Sequence, residues 1–517
     1  MEHPPKRADE ETTSIVPLLI AAAAAGAATM TAELSATRLL APWFGASIHA
    51  WTHVIATVLG AMAIGYAIGS RLALRPSAQL VARGWVIGGI LFVIAPFVAP
   101  TIAPLLVPSP ETQTPITIAT DAAWGSFIST LLLFAPAVLM LGASTPILIR
   151  LVALRTTDHT APGRVLAAST IGSLIGTYLP AFFLLESFGS RGSMIVAASL
   201  CFLAAALVMS SRIGRSLASI SCICLVMLVI GRSWPTLVPS ASGDTLVLEK
   251  ESAYQYVRVS TTAMDGATAT NLSLDEGRGE FHSRRLDNAV TTGAYYDVLA
   301  CLPDLVGGAI PLDVLVIGGG AGTLRGILRS LQNSRVASVT DVELDPIVAG
   351  LADRFGGVAV PPDRVVIADG RAALRSMRGP YDIVVLDAYA RQAAIPAHLG
   401  TVEAIQLMRD RLTRRGILAI NASLADVESP LGQALIATLL RVFPEVRTVG
   451  VPGSWNVQFL CGPGLPPTPD LKDRGDALDV ARGWIRAGWC THTSVAPGAF
   501  VLTDDCAPLE TLARKVR

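Results

Sequence analysis

The sequence predicts a chain in two parts, an α-helical transmembrane bundle followed by a doubly wound, Rossmann-like α/β domain. Apolar residues are concentrated before Trp234, in segments near the ~20 residues that span a bilayer. After Asp244, short apolar strands alternate with helices, which is the order that builds a parallel sheet. Residues 235–243 are rich in Pro, Ser and Gly and are predicted to link the two parts.

Composition narrows the class of protein before any motif is considered. Of the 517 residues only 15% are charged, and the mean hydropathy is +0.52, which is too apolar for an ordinary soluble protein. The formal net charge is +0, so nothing global favours a nucleic acid as partner. The seven cysteines show no CxxC pair and no metal-ligand spacing, and we predict no metal site.

Seven apolar segments are predicted to cross the membrane, after a polar and disordered stretch at residues 1–14. Glycines four residues apart, Gly65 with Gly69 and Gly172 with Gly176, predict helices that touch backbone to backbone. Prolines predict a bend or break in the third segment. The segments cover roughly residues 15–37, 51–74, 84–107, 122–153, 165–187, 193–211 and 216–234.

Two charged residues, Glu33 and Arg38, stand near the end of the first apolar segment. Charges at membrane depth are expensive and by default suggest a function. Because five residues separate them, they do not share a helix face, and each is expected to have a partner on another helix. The alternative is a purely structural polar link, or a place at the membrane interface.

A glycine-rich turn follows the first strong strand of the α/β domain. Residues 314–317 are a continuous apolar run, as in a buried parallel strand, and residues 323–331 repeat apolar side chains at helical spacing. Between them, residues 318–322 read Gly-Gly-Gly-Ala-Gly, which lets a ligand approach the backbone. This order favours a nucleoside-binding site, either for NAD or for S-adenosylmethionine. The alternative is a tight turn that only closes a sheet.

Acidic residues end three of the predicted strands: Glu343, Asp369 and Asp387. In an open α/β sheet the carboxyl ends of the strands face the ligand crevice. One acid could hold a ribose, one the adenine amino group and one the reacting centre. A single acid in such a place is most often a helix N-cap, but three on successive strands favour a site.

The remaining elements follow from alternation and spacing. Two or three antiparallel strands between residues 244 and 277 predict a small β-hairpin subdomain, joined by a connecting helix to the domain that starts at residue 313. The larger sheet is predicted from strands near 314–317, 336–342, 365–368, 382–386, 417–421, 446–451 and 456–461, with helices near 323–331, 346–354, 401–413 and 429–441.

Residues 245–510 resemble the spermidine synthases, the aminopropyltransferases, whose sheet is of the class I methyltransferase type. The matching pieces are residues 251–256, Leu274-Asp275, the glycine turn, residues 342–345, Asp369-Gly370 and Asp387. The whole chain is most similar to bacterial membrane proteins that fuse such a domain to a helical bundle. That similarity lies in residues 38–45, 395–403 and 502–510.

The resemblance implies roles for individual residues. Glu343 would hold the ribose hydroxyls, Asp369 the adenine and Gln255 the sulfonium end. Asp387 would accept the proton of the attacking amine or steer a cation, beside Tyr295. The other candidates are Gly318, Gly319, Gly320, Gly322 and Gly370 for the nucleoside, Tyr389 for catalysis, and Tyr254, Ala321 and Trp455 for the substrate pocket. The expected partners are a small-molecule substrate and the lipid bilayer, with a homodimer left open.

Three departures from the family pattern concern carboxylates. Ala321, Ala390 and the pair Thr291-Thr292 stand where the family has acids that hold amines. A pocket for a polyamine without them would pair its charges poorly, whereas intact S-adenosylmethionine becomes plausible. We therefore predict that the protein uses intact S-adenosylmethionine, whose own carboxylate would attack to give methylthioadenosine and a homoserine lactone.

The leading hypothesis is thus an enzyme that cleaves the sulfonium of S-adenosylmethionine, or of its decarboxylated form, and releases methylthioadenosine. It would act by aminopropyl or aminocarboxypropyl transfer or by cyclisation, as a lyase. Three alternatives stay open: a conventional polyamine aminopropyltransferase, an S-adenosylmethionine-dependent methyltransferase, and a transporter or sensor with a nucleoside-binding domain.

The side of the membrane on which the α/β domain lies is predicted from two conflicting observations. Loops near Arg71, Arg150 and Arg212 are rich in arginine, and the positive-inside rule places them and the N-terminus in the cytoplasm. Seven crossings would then put the domain outside. Because the donor is made in the cytoplasm, we predict an even number of effective crossings in the bacterial inner membrane and a cytoplasmic domain.

Overall fold

The computed structural model divides into two compact units, one of residues 1–108 and 121–239 and one of residues 109–120 and 240–517. It describes residues 14–45, 48–107, 115–156, 159–209, 212–230, 236–238, 243–264, 266–275, 281–308, 310–389, 395–424 and 426–514. The predicted disorder of residues 1–14 falls, apart from Ser14, outside the described residues, as do Ala390 and most of the predicted linker.

The first unit is built from long apolar helices. They are α1 (Val16–Phe44), α2 (Ile48–Leu72), α3 (Ala78–Ile102), α4 (Pro115–Leu133), α5 (Ala135–Ala153), α6 (Ala161–Leu179), α7 (Leu185–Val208) and α8 (Arg212–Ile230), with a π-helical turn at Pro180–Leu184. The predicted segment 122–153 is interrupted at Phe134, because Pro136 has no N–H to continue a helix and suits the start of α5. In α3 the helix runs through Pro96 and Pro100 and becomes a 3₁₀ turn at Ala103–Leu106.

Five helical stretches among the described residues are long and apolar enough to cross a membrane. They are Val16–Phe44, Ala50–Leu72, Ala78–Leu106, Ala135–Ala153 and Ala161–Val208. The number of crossings and the side on which the second unit lies stay predictions. Glu33 and Arg38 both lie partly buried on α1, and their role stays a prediction too.

Glycines allow the closest helix contacts of the first unit. A Cβ at Gly69 of α2 would lie 2.2 Å from the carbonyl oxygen of Ala143 on α5. A Cβ at Gly172 of α6 would lie 1.8 Å from the carbonyl oxygen of Ala23 on α1. No side chain fits at either distance, so the predicted backbone-to-backbone packing is confirmed.

The second unit begins with a small antiparallel sheet of four strands in sequence order. They are β1 (Asp244–Glu251), β2 (Tyr256–Met264), β3 (Ala267–Leu274) and β4 (Ser283–Leu286). The sequence predicted two or three strands and missed β4, because Ser-Arg-Arg-Leu shows no apolar alternation.

The larger sheet has eight strands, of which five adjacent ones are parallel. They are β5 (Leu312–Ile317), β6 (Val336–Glu343), β7 (Arg364–Ile367), β8 (Tyr381–Leu386), β9 (Leu412–Ser423), β10 (Val446–Gly450), β11 (Asn456–Cys461) and β12 (Cys490–His492), in the order β12-β10-β11-β9-β8-β5-β6-β7. Strands β10, β11 and β12 are antiparallel additions at one edge. The short, polar β12 was not predicted.

Helices cover both faces of this sheet, so the predicted doubly wound fold is confirmed. They are α9 (Tyr295–Ala300), α10 (Leu302–Leu305), α11 (Thr323–Leu331), α12 (Pro346–Ala349), α13 (Gly370–Ser376), α14 (Val402–Asp410), α15 (Pro430–Leu439), α16 (Asp479–Gly488) and α17 (Leu509–Arg514). Alternate residues of β5 enter opposite cores: Leu315 packs in the cluster with α14 and α15, and Val314 in the cluster with α9, α11 and α16. Between β5 and β8 the strand order switches, since β6 and β7 lie on one side of β5 and β8 on the other, and such switch points are where these sheets bind ligands.

Candidate active site

The glycine turn after β5 brings the backbone close to the end of β8. Gly318, Gly320 and Gly322 have φ of 86°, 54° and 78°, a region that side chains rarely adopt. A Cβ at Gly318 would lie 2.5 Å from the carbonyl oxygen of Asp387. Only glycine therefore allows the first residue after β5 to pack against the first residue after β8.

Glu343, at the end of β6, is fixed by backbone donors on both carboxylate oxygens. Oε2 accepts the N–H of Gly320 at 2.8 Å, and Oε1 accepts the N–H of Asp345 at 3.0 Å. Desolvation by burial raises the pKa of this carboxyl, and these hydrogen bonds act against the rise. A carboxylate has further lone pairs, so Glu343 can still accept from a ribose hydroxyl.

Asp369 is the N-cap of α13 and also faces the cavity. Its Oδ1 accepts the N–H groups of Arg371 and Ala372, both at 3.0 Å, and its Oδ2 lies 2.8 Å from Nε2 of His398. Desolvation raises the pKa of Asp369, but the hydrogen bonds from Ala372 and His398 outweigh it and hold the pKa below its ordinary value. Asp369 is therefore a helix N-cap, as the alternative interpretation of a strand-end acid expected. Its other carboxylate oxygen, Oδ2, remains on the cavity side.

Asp387 has a different set of partners, all of them side chains. Oδ2 accepts the hydroxyl of Tyr295 at 3.2 Å, and Oδ1 accepts Nδ2 of Asn421 at 2.8 Å. Desolvation raises the pKa of Asp387 to about 7, even though both hydrogen bonds favour the ionised form. A carboxyl with a pKa near neutrality is suited to accept and release a proton.

Two tyrosines and a histidine form the wall next to Asp387. The rings of Tyr295 and Tyr296 stack with their centroids 4.1 Å apart, and the hydroxyl of Tyr296 donates to the carbonyl oxygen of His282. Desolvation raises the pKa of Tyr295, so its hydroxyl stays a donor. Nδ1 of His282 accepts the N–H of Leu274 at 3.3 Å, and burial lowers the pKa of this imidazole to about 4. His282 is thus neutral, with its proton on Nε2.

Gln255 is held at the rim by the loop after β6. Its Nε2 donates to Oδ2 of Asp345 at 3.2 Å, and the hydroxyl of Ser252 donates to the same oxygen at 2.6 Å. Asp345 also caps α12 through the N–H of Ile347. The β1–β2 turn is therefore tied to the loop after β6 of the larger sheet.

The C-terminal segment fastens the loop that carries His398. Arg371 donates to both carboxylate oxygens of Asp504, at 2.6 and 2.5 Å, and to the carbonyl oxygen of His398 at 3.0 Å. The hydroxyl of Thr401 donates to Asp504 at 2.8 Å. The two sequence motifs at 395–403 and 502–510 thus meet, and they place His398 over Asp369.

One cavity of the second unit gathers most of the predicted site residues. Those lining it are Tyr254, Gln255, Tyr295, Gly318, Gly320, Glu343, Asp369, Gly370, Asp387 and Tyr389. Sequence reasoning missed Phe281, His282 and Asn456, and it quoted Pro396, His398 and Leu399 only as part of a motif. The functional roles of all these residues stay predictions.

Four predicted site residues do not line this cavity: Gly319, Gly322, Ala321 and Trp455. Ala321 is fully buried and packs against Val257 and Leu272 of the small sheet, because the turn aims its Cβ away from the ligand side. Trp455 is 47% exposed, and its neighbour Asn456 lines the cavity instead. Among the described residues no group of three or more His, Cys, Asp or Glu could hold a metal ion.

Comparison with curated proteins finds polyamine aminopropyltransferases. The chain is 28% identical over 288 residues to a probable polyamine aminopropyl transferase of Bifidobacterium longum, covering 52% of this chain and 62% of that protein. It is 29% identical over 309 residues to polyamine aminopropyltransferase 1 of Streptomyces coelicolor, covering 55% and 56%. The chain therefore spans less than two thirds of the length of either relative. No protein-family model matches it.

Solved structures give weaker similarities. A probable spermidine synthase from Corynebacterium glutamicum aligns with 50% of this chain and 97% of its own, at 18% identity and a TM-score of 0.40. The spermidine synthase of Thermotoga maritima aligns with 53% and 84%, at 19% identity and a TM-score of 0.35. The curated relatives support the resemblance to the aminopropyltransferases, whereas the membrane-fused subgroup stays a prediction.

Proposed function

We propose that the protein is an aminopropyltransferase that moves the aminopropyl group of decarboxylated S-adenosylmethionine to an amine and releases methylthioadenosine. The observation that carries this proposal is Asp387, held between Tyr295 and Asn421 beside the glycine turn, with a pKa near neutrality. The names of the curated relatives point to the same activity.

The nucleoside would occupy the end of the cavity formed by β5, β6 and α13. Glu343 reaches the backbone of the glycine turn and has lone pairs left for a ribose diol. Asp369 and His398 lie at the far rim, where a carboxylate can accept the adenine amino group. This division leaves Asp387 as the carboxylate next to the sulfonium.

The proposed transfer is a single in-line displacement. The amine nitrogen attacks the aminopropyl carbon that is bonded to sulfur, and a C–N bond forms. The C–S bond breaks, and its electron pair stays on sulfur, which becomes a neutral thioether. The amine loses its proton to Asp387, while the hydroxyl of Tyr295 keeps that carboxylate oriented. The protein mainly places the two reactants and compensates their positive charge.

The charges of the cavity favour the decarboxylated donor. Its described lining carries the carboxylates of Glu343, Asp369 and Asp387 and no Lys or Arg. An ammonium and a sulfonium suit this surface, whereas the carboxylate of intact S-adenosylmethionine would add a fourth negative charge. Ala321, which motivated the intact substrate, lies in the core rather than in the lining.

The lactone-forming hypothesis remains as a second candidate because of one observation. If Glu343 and Asp369 serve the nucleoside, Asp387 is the one described carboxylate of the lining left for an acceptor. The second ammonium of a diamine would then have no acidic partner among the described residues that line the cavity. Thr292 supplies none, since its hydroxyl and N–H both bond to Asp297.

One experiment tests both candidates. The purified full-length protein is incubated with intact or decarboxylated S-adenosylmethionine, each with and without putrescine, and the products are identified by mass spectrometry. We expect methylthioadenosine and an aminopropylated amine only from the decarboxylated donor with amine. Methylthioadenosine and homoserine lactone from the intact donor alone would replace the proposal by the second candidate. S-adenosylhomocysteine from the intact donor would instead indicate a methyltransferase.

We also propose that the first unit anchors the protein in the bacterial inner membrane with the second unit in the cytoplasm. The five apolar stretches support the anchoring, and the cytoplasmic origin of the donor supports the side. A reporter fused after Arg517 should be active only in its cytoplasmic form. Activity of a periplasm-specific reporter at that position would overturn the proposed side.

A further inference from the structure

Three polar side chains lie in one row across neighbouring strands behind the reacting centre. Asp387 follows β8, Asn421 lies on β9 and Gln458 on β11. Nδ2 of Asn421 donates to Asp387 at 2.8 Å, and Nε2 of Gln458 donates to Oδ1 of Asn421 at 2.6 Å. Asn421 and Gln458 are both fully buried.

The register of the sheet builds this row. Asn421 and Gln458 are direct partners in the antiparallel pair of β9 and β11. In the parallel pair of β8 and β9, Leu386 lies opposite Ile420, so the next residues, Asp387 and Asn421, are neighbours as well. Backbone pairing therefore sets the spacing, and the side chains need no flexible loop to meet.

The row has a direction, because its hydrogen bonds are donated toward Asp387. An ionised carboxylate only accepts, so Asn421 must present its NH₂ group to it. Its oxygen is then turned to Gln458, which meets it with an NH₂ group. If Asn421 were reversed, its oxygen would face the carboxylate and its NH₂ group that of Gln458. The carboxylate of Asp387 thus selects the orientation of Asn421, and Gln458 supports it with a donor to the Asn421 oxygen.

A purely structural role explains this arrangement poorly. The neighbours of these amides along the strands, Ile420 and Phe459, are apolar core residues. Oε1 of Gln458 is buried with no hydrogen-bond partner, which is a cost that a core hydrocarbon would avoid. The strands are already joined by their backbones. Packing therefore does not require the two amides, and their hydrogen bonds lead to Asp387 instead.

We propose that Asn421 and Gln458 are positioning residues for Asp387, with Gln458 fixing Asn421 so that it stabilises the ionised carboxylate that accepts the proton of the amine. This inference rests on the proposed function, since it assigns the two amides to the proton-accepting step. Hydrogen bonds to the charged form of an acid lower its pKa, and here they oppose the effect of desolvation.

Other ionisable groups also face Asp387 and enter the design of the test. They are Tyr295 and Tyr296 from α9, Glu343 from the end of β6, Tyr389 from the loop after β8, and His282 in the cavity wall. Burial raises the pKa of Tyr295 and Tyr296, and the pKa of His282 is lowered to about 4. The carboxyl of Glu343 is left unchanged in every variant, so differences between variants report on Asp387.

The test compares Asn421→Leu and Gln458→Met with a matched control, Gln332→Met. Gln332 is an equally buried amide that donates to Asp304, away from the cavity. The acid limb of the kcat profile is the pH at which kcat falls to half its maximum on the acid side. For Asn421→Leu we expect this pH to rise by about one unit. Gln458→Met should move it in the same direction by less, with KM for decarboxylated S-adenosylmethionine nearly unchanged. Gln332→Met should lower thermal stability and leave the limb in place.

A binding measurement keeps this inference separate from the proposed activity. A bound sulfonium favours ionised Asp387, so binding releases part of a proton, which calorimetry in two buffers of different ionisation enthalpy detects. At pH 7 we expect Asn421→Leu to release more proton than the wild type on binding decarboxylated S-adenosylmethionine, and Asp387→Asn to release none. Proton release and acid limb both unchanged in Asn421→Leu and Gln458→Met would overturn the positioning role. Absence of turnover with every amine would overturn the proposed function alone.

Discussion

Asp369 follows β7 and Asp387 follows β8 of the same sheet, yet the surroundings of the two carboxylates differ. Asp369 is held by backbone N–H groups and His398, and its pKa lies below the ordinary value. Asp387 is held only by side chains, and desolvation raises its pKa to about 7. Two acids whose environments separate their pKa values in this way are suited to different tasks. The first suits steady binding of a ligand, and the second suits the transfer of a proton.

The comparison predicts the largest effect for Asp387→Asn. The amide keeps the size of the side chain but cannot accept the proton, so kcat should fall by about 10²–10³-fold. The affinity for methylthioadenosine, measured by calorimetry, should change by less than about threefold, since Asp387 lies outside the nucleoside end. Asp382→Asn, an acid on β8 that bonds to the N–H of Asp313, serves as the control. Loss of methylthioadenosine binding in Asp387→Asn would contradict the separation of tasks.

Glu343→Ala, in contrast to Asp387→Asn, should weaken the binding of methylthioadenosine. Removal of the carboxylate leaves the ribose hydroxyls and the N–H of Gly320 without a partner, which should weaken methylthioadenosine binding by about 1–3 kcal/mol. Calorimetric titration measures this loss directly. Unchanged affinity would remove the assignment of Glu343 to the ribose.

The pH dependence should differ between turnover and binding. Asp387 must be ionised to accept a proton, so kcat/KM for decarboxylated S-adenosylmethionine, which reports on the free enzyme, should rise with pH through about 7. For a group of that pKa, the ionised fraction grows from about one tenth at pH 6 to about nine tenths at pH 8. Asp369, whose pKa is lowered, stays ionised over this range, so its contribution to methylthioadenosine affinity should not change with pH. A kcat/KM that is constant between pH 6 and 8 would contradict the role given to Asp387.

The three acids could be predicted because each stands at the end of an apolar strand. A local run of apolar residues is enough to show where such a strand ends. Glu343, Asp369 and Asp387 were found in this way, and all three line the cavity. Ala321 was placed in the pocket by its position in the glycine turn of the resembling family, which does not reveal that its Cβ faces the small sheet. The direction of a side chain in a glycine turn depends on φ values that the sequence does not state.

Asn421 and Gln458 were missed for a different reason. Each is a single amide within an apolar strand, and their meeting depends on the strand order β8-β9-β11. That order is a property of the assembled sheet, and neither residue has a local motif. The signal that could have found Asn421 is a polar residue in the last part of a buried strand, next to a strand that ends in an acid.

The smallest predicted effect concerns the fastening of His398, on the side of Asp369. Asp504 accepts hydrogen bonds from Arg371, which in turn donates to the carbonyl oxygen of His398. Asp504 itself does not line the cavity. Asp504→Asn weakens one charged pair at a partly exposed site, so methylthioadenosine affinity should fall only by about two- to fivefold. The acid limb of the kcat profile should not move, because Asp387 has no contact with this segment.

Asp505→Asn, at the adjacent exposed position, is the matched control and should leave the affinity unchanged. Equal affinities for the two variants would show that the C-terminal segment does not position the adenine end, and a shifted acid limb in Asp504→Asn would show that the two ends of the cavity are coupled.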